Sequence, residues 1–545
     1  MLGEMWQFKG RYKILHMTWF AFFLTFVVWF NLAPLATTVA ADFGLEPGQI
    51  KTLAICNVAL TVPARIIIGM LLDRYGPRLT YSCLLIYAAI PCILFASAQN
   101  LSQLIISRLL LSIVGAGFVI GIRMVAEWFP PKEIGLAEGI YGGWGNFGSA
   151  FSAFTMIGIA AALNFFPGAF TLPTGEVLNW RTAIAITGII AAIYGVIYYL
   201  SVQDTPPGKA YRRPKSARGL EVTTKRDFWF LMVMNVPLTF ILMVLAWRLK
   251  ALGFLNNTSY PLVLIFLAAL YLFQAYNCWS VNKDLLAGKK RYPAEDRYKF
   301  KQVSLLELTY VVNFGSELAV VSMLPAFFEG TFGLTKALAG ILASSYAFMN
   351  LLARPGGGLI SDKLGSRKLT MGVLTLCMGI GYLVMSSIPT VRDYLGYDPQ
   401  AGASGALIAL ALFMTMACSF FVQAGEGSTF AIVPLVKRRV TGQIAGNVGA
   451  YGNVGAVAYL TLYSLLPEGD VGNRIFFQVL GVAAIIVAML CFILLEEPKG
   501  SFAEHHEGEE VVANNVSTRA NIYSDFQMNR PQCANQPIAS SDEIC

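Results

Sequence analysis

Two arginines suggest the chemistry of this chain. Residues 64–78 read ARIIIGMLLDRYGPR and residues 353–367 read ARPGGGLISDKLGSR. At a constant offset of 289, Ala, Arg, Gly, Asp, Gly and Arg coincide. Arg65 and Arg354 each stand eight residues before an aspartate, Asp73 or Asp362. Eight residues are about 12 Å of helix, so an aspartate at the mouth of a membrane helix puts its arginine near mid-membrane. A charge there is costly unless paired or hydrated. Neither arginine has a carboxylate three or four residues away. Two such arginines converging on one cavity would repel, and an anion between them would relieve the repulsion. The guanidinium fork suits planar oxyanions. The competing reading pairs them with a carboxylate on another helix, such as Glu127, Glu317 or Glu426.

A second repeat follows. Residues 135–148 read GLAEGIYGGWGNFG and residues 442–455 read GQIAGNVGAYGNVG, at an offset of 307. Glycines recur every three or four residues in both, a face that lets helix backbones approach closely. Each lattice carries one amide, Asn146 or Asn453, able to complete an anion's hydrogen-bond shell or to join two helices. In LLELTYVVNFGSELAVV, Tyr310, Asn313, Phe314 and Glu317 stand at i, i+3, i+4 and i+7 and share a helix face. Glu317 and Glu426 are candidate proton carriers, because a desolvated carboxyl holds a proton more readily. Their plainer role is to neutralise Arg123 or another buried base. Asp73, Arg74, Asp362 and Arg367 fall in the loops that end the arginine helices, where they can pair and latch neighbouring helices.

The elements that position these residues must be membrane helices. Hydrophobic residues make up 56% of the 545, charged residues only 13%, about half the charged share of a soluble domain. Mean hydropathy is +0.59. The apolar runs are too long and continuous for a β-barrel. The first, Met17 to Ala41, exceeds a signal-peptide core. Thirteen later runs give fourteen spans, an all-α polytopic bundle. Fourteen spans place every basic cluster on one side, including Lys9/Arg11/Lys13, Arg74/Arg78 and Lys437/Arg438/Arg439. The positive-inside rule then puts both termini in the cytoplasm. The runs at 228–247 and 260–281 lie between two loops with seven Lys/Arg each, so both cross or neither does. Both crossing is the reading adopted.

The repeats divide the chain into an N-terminal six-helix half (1–203), a basic linker with two inserted helices (204–302), a C-terminal six-helix half (303–495) and a disordered acidic tail (496–545). Duplicated halves with a site between them are the architecture of secondary transporters. Net charge is +8; the tail holds −6, leaving +14 for the rest. That excess is topological and calls for no nucleic-acid partner. The nine cysteines show no CxxC pair and read as packing residues. The three histidines form no metal cluster in the bundle, and no cofactor or nucleophile motif stands out, so an enzyme is the weakest reading. The stronger rivals are the same bundle carrying another small anion and, after it, a binding-only sensor with the tail as output to a regulatory partner.

These residues also carry a resemblance. The duplicated GxLxDRxGxR-type loop and the fourth helix (Arg108, then Gly115-Ala-Gly117) resemble the major facilitator superfamily, two pseudo-symmetric six-helix halves. More narrowly, WFNLAPL at 29–35, MVAEWFPPKEIGLAEG at 124–139, GGWGNFG at 142–148, NFGSEL at 313–318 and EGSTFAIVP at 426–434 are similar to the nitrate/nitrite porter family, especially its cyanobacterial permeases. The resemblance spans about residues 17–495. It implies import of nitrate, often also nitrite, across a bacterial plasma membrane by rocking of the two halves. It implies an anion held between Arg65 and Arg354, with Asn146, Tyr310 and the aromatic wall Phe118, and with Asn453 in the second signature. The chain departs from shorter porters in the insertion, the tail, and Glu317 and Glu426. Exchange needs no proton carrier, whereas uptake against a negative potential does, so the two carboxylates favour proton symport.

Overall fold

Hydrocarbon offers no partner to a backbone N–H or C=O, so a chain this apolar crosses it as helices. The computed structural model describes residues 6–173, 175–214, 218–251, 253–396 and 405–502. Among the described residues, eleven helices are long and apolar enough to span a membrane. Three further crossings complete the fourteen: Ile134–Ala162, the pair Lys336–Phe348 and Asn350–Lys363, and Thr441–Leu465. These three carry the glycine lattices and Arg354 in place of aliphatic side chains. Six crossings precede the inserted helices Lys225–Ala251 and Ser259–Leu286, and six follow. A two-stranded antiparallel hairpin, Phe170–Thr171 with Val177–Leu178, joins the fifth and sixth crossings.

Several crossings are broken, and the breaks matter. The crossing Phe300–Phe332 divides at Asn313 (φ −78°, ψ −79°) into Phe300–Val312 and Phe314–Phe332. The expected single face through Tyr310, Phe314 and Glu317 is therefore spread over two helices. Ring stacking carries it across the break: Tyr310 and Phe314 lie 5.1 Å apart and almost parallel.

The repeats pack across the molecule, each glycine helix on the arginine helix of the other half. A Cβ on Gly135 would stand 2.5 Å from the Gly358 carbonyl oxygen, and one on Gly69 2.5 Å from that of Gly442. One turn on, a Cβ on Gly139 would meet the Arg354 carbonyl at 2.5 Å, and one on Gly446 the Arg65 carbonyl at 2.6 Å. Only glycine permits these approaches.

The aspartates fix the same contact. Asp362 accepts from the Gly135 and Leu136 amides at 3.0 and 2.7 Å. Asp73 accepts from the Gly442 and Gln443 amides at 2.9 Å each. A carboxylate at a helix N-terminus meets unpaired amides and the positive end of the helix dipole. The pairing of loop aspartate with loop arginine holds in the second half, where Arg367 lies 2.8 Å from Asp362. In the first half it differs. Asp73 is buried with Arg123 at 4.0 Å, and Arg74 is exposed and lies over the Tyr75 ring. The contact is chiefly carboxylate to backbone, between halves.

The inserted helices are tied to the second half. Tyr451 donates to the Met234 carbonyl at 2.5 Å. The loops flanking the insertion hold the basic loop before the second glycine helix: Asp296 pairs with Lys437 at 2.5 Å and Glu221 with Arg439 at 2.6 Å. Burial pushes the Glu221 carboxyl up, but Lys290, Tyr292 and Arg439 outweigh this and hold it below the ordinary range. Of the segment expected to be a disordered tail, residues 503–545, with His505 and His506, lie outside the described residues. Residues 496–502 are placed. Glu497 accepts from the Arg367 and Lys368 amides at 3.0 and 3.1 Å, capping the helix Arg367–Tyr394. Glu496 meets Lys299 at 2.7 Å. Charge pairing with a basic surface orders what composition alone would leave loose.

Candidate anion site

Helix position brings both arginines to one aromatic stack. The guanidinium carbons of Arg65 and Arg354 lie 5.2 and 5.8 Å from the centre of the same ring, Phe314. Arg65 also stands 5.5 Å from Phe118. Phe118, Tyr310 and Phe314 stack almost parallel, with neighbouring centres 6.0 and 5.1 Å apart. Phe430 meets Phe118 and Tyr310 edge-on at 4.6 and 4.9 Å. All are buried. A desolvated cation over a ring gains about 2 kcal/mol, which offsets part of the burial cost without using a hydrogen bond. Among the described residues, Arg65 Nη2 and Arg354 Nε are left without a hydrogen-bond partner.

The glycine lattices open toward the guanidinium groups. A Cβ on Gly142 would stand 3.2 Å from Arg354 Nη1 and 3.7 Å from Phe118. One on Gly449 would stand 3.2 Å from Arg65 Cδ and 3.4 Å from its Nη1. Asn146 and Asn453 follow one helical turn later, near the same faces. Both are buried, and the Oδ1 of each lacks a hydrogen-bond partner among the described residues. Asn453 Nδ2 reaches only the Gly449 carbonyl of its own helix, at 3.4 Å. Among the described residues, no hydrogen bond ties either amide to another helix.

The two arginines differ in their partners. Arg65 donates to the carbonyls of Gly449 at 2.5 Å and Gly115 at 3.3 Å, and its Nη2 has no partner among the described residues. Arg354 Nη2 pairs with Glu426 and lies 3.2 Å from Glu317. Carboxylates from other helices thus stand against Arg354, whereas Arg65 donates only to carbonyl oxygens among the described residues. Arg123 is neutralised elsewhere, by Glu127 at 2.9 Å, which frees Glu317 and Glu426 from that role. The Tyr310 hydroxyl faces the Arg354 side chain without a well-formed hydrogen bond.

These observations carry the assignment of family. The major facilitator superfamily model matches residues 18–281 and 306–534. This chain belongs to that superfamily and, within it, to the nitrate/nitrite porter family. It is 68% identical to the nitrate/nitrite transporter NrtP of Picosynechococcus sp., over 93% of this chain and 97% of that protein. It is 53% identical to NrtP of Nostoc punctiforme, over 96% and 99%. Among solved structures, the human organic anion transporter MFSD10 superposes with a TM-score of 0.55 at 13% identity, covering 89% of this chain and all of that one. The proton:xylose symporter XylE gives 0.54 at 14% identity, covering 90% and 97%. These two show the fold. The family is one of transporters.

Three residues at the site went unnoticed in the sequence. Asn350 donates to Glu317 at 2.6 Å, and Gln423 at 3.3 Å. Phe430 closes the aromatic box. Helical spacing held the signal: Asn350 is four residues before Arg354, Gln423 three before Glu426, and Phe430 four after it.

Proposed function

We propose that this chain imports nitrate and nitrite by alternating access, in symport with protons, with the anion held between Arg65 and Arg354. The observation that carries the reading is the convergence of two repeat-related guanidinium groups on one buried aromatic stack. The names of the two NrtP relatives supply the substrate class. Asn146 and Asn453 complete the anion's shell, Tyr310 and Phe118 form its walls, and Glu317 and Glu426 carry proton coupling. Asp73, Asp362 and Arg367 latch the halves at the basic end, and Arg74 serves as a topological charge there. The halves 1–203 and 303–495 rock about the site, with 204–302 as an insertion. The protein resides in a bacterial plasma membrane with its basic end and both termini in the cytoplasm.

Charge arithmetic favours symport over exchange. Arg65, Arg354, Glu317 and Glu426 sum to zero when all are ionised. A bound monovalent anion makes the site negative, and one proton restores neutrality. Binding that neutralises the site favours closure around it. The test is uptake of labelled nitrate into proteoliposomes under imposed pH gradients. Inward acid-driven accumulation supports symport; accumulation only against preloaded nitrite means exchange. Competition by chlorate, nitrite and formate defines selectivity. Uptake by protein ending at residue 502 counts against a binding-only sensor that uses the tail as output.

A further inference from the structure

Glu317 and Glu426 share one arginine, but their surroundings differ. Glu317 Oε1 accepts from Asn350 Nδ2 at 2.6 Å and Gln423 Nε2 at 3.3 Å, while its Oε2 faces Arg354 at 3.2 Å. Gln423 is held in turn by the Tyr346 carbonyl at 2.8 Å. Every close partner of Glu317 is therefore a donor, and donors favour the ionised carboxylate. Glu426 has Arg354 as its charge partner and no other hydrogen-bond partner for either oxygen among the described residues. It is 1% exposed. The ionisable groups gathered around Arg354 are Glu317, Glu426, Tyr310 and, from the other half, Arg65.

We infer that the two carboxylates divide the work: Glu426 takes the transported proton, and Glu317 stays ionised as the fixed counter-charge of Arg354, positioned by Asn350 and Gln423. The inference rests on the proton-symport reading. The exchange balances simply. A proton from the outer solution forms an O–H bond on Glu426. The neutral carboxyl releases its charge pairing to Arg354 Nη2, and an oxygen of the anion takes that donor. On the inner side the anion leaves, Arg354 recovers Glu426, and the proton departs. Anion and carboxylate compete for one nitrogen, so proton loading and anion binding favour each other. Asn350 and Gln423 act through Glu317 and are positioning residues.

The test measures nitrate uptake together with proton uptake in proteoliposomes, and nitrate affinity of purified protein from pH 5 to 9. For the wild type we expect one-proton linkage, a loss of about tenfold in affinity per pH unit above the titration. E426Q is expected to bind nitrate with a flat pH profile and to move it without protons. E317Q is expected to lose at least tenfold in affinity, because Arg354 then re-forms its pair with Glu426, while remaining transport stays proton-linked. N350L and Q423L remove donors that hold Glu317 ionised, so their binding profiles should gain a second, proton-dependent step that a merely structural lesion would not produce. If E426Q reaches the membrane but does not transport, the binding profile decides: flat supports the assignment, one-proton linkage overturns it. Proton-linked transport by E426Q with proton-free transport by E317Q would overturn it as well. Wild-type transport without proton movement would instead sink the symport reading itself.

Discussion

Arg65 and Arg354 hold equivalent places in the two repeats and meet different chemistry. Both are buried beside Phe314, both lie on helices pinned by an aspartate, and both face a glycine of the opposite half. Arg65 is satisfied by neutral carbonyls and keeps its whole charge and a free Nη2. Arg354 shares its charge with two carboxylates. Duplication sets two guanidinium groups in equivalent places. Departure from symmetry on one side adds two carboxylates.

The largest expected effect separates the two arms. Arg65→Lys and Arg354→Lys each keep the charge and lose the fork. Each should weaken nitrate binding by about 100-fold, or about 3 kcal/mol, while the protein still reaches the membrane. Only Arg354→Lys should also alter the pH dependence of binding, because only Arg354 is coupled to carboxylates. Normal saturable uptake by either variant would break the clamp, and equal pH profiles would break the asymmetry.

The next test concerns what the arms share. Gly139→Ala and Gly446→Ala each place a Cβ against the carbonyl of the opposing arginine, at 2.5 and 2.6 Å. Backbone cannot yield as a side chain can, so each should cost about 2–3 kcal/mol of stability in the conformation closed at the basic end. The effects should match within about 1 kcal/mol, since the geometry is repeated. Thermal unfolding of the purified variants measures this. A large effect at one site alone would show that the halves do not dock symmetrically.

Removing the aspartate caps should cost somewhat less and unequally. Asp73→Asn and Asp362→Asn each weaken two bonds to backbone amides, about 1–2 kcal/mol. Asp362→Asn also strands buried Arg367, whose guanidinium lies 2.8 Å from Asp362. It should therefore be the more damaging. Cysteine labelling from the basic end should show a larger shift toward the open conformer for Asp362→Asn.

Much of this was legible in the sequence, and the gaps have physical causes. Repeats and charge placement yield fourteen crossings and the two arginines, because period, length and Lys/Arg asymmetry are local signals. Contacts between halves are not local. The pairing of Arg354 with Glu317 and Glu426 joins three helices, and sequence could only name the carboxylates as candidates. The docking of Asp73 on Gly442 and Gln443 joins residues remote in the chain, and the same holds for Asp362 on Gly135 and Leu136. Loop chemistry suggested aspartate–arginine pairs instead. Asn313 looked like one more residue on a helix face; its break appears only when the chain turns around the site. Asn350 and Gln423 were within reach of helical spacing from Arg354 and Glu426.

The smallest effect lies away from the two arginines, where the loops flanking the insertion hold the second half. Glu221 joins Lys290 and Arg439, each at 2.6 Å, and its carboxyl is held below the ordinary range. A depressed carboxyl contributes stability that is fully present above its unfolded value and is lost as pH falls through the folded one. Glu221→Gln should therefore lower the unfolding midpoint at pH 7, by an amount equivalent to about 1 kcal/mol for a buried carboxylate whose basic partners are partly exposed. As pH falls through the wild-type carboxyl's own titration, below the ordinary carboxylate range, the difference should shrink. An unchanged midpoint at pH 7 would mean that the brace contributes nothing to stability.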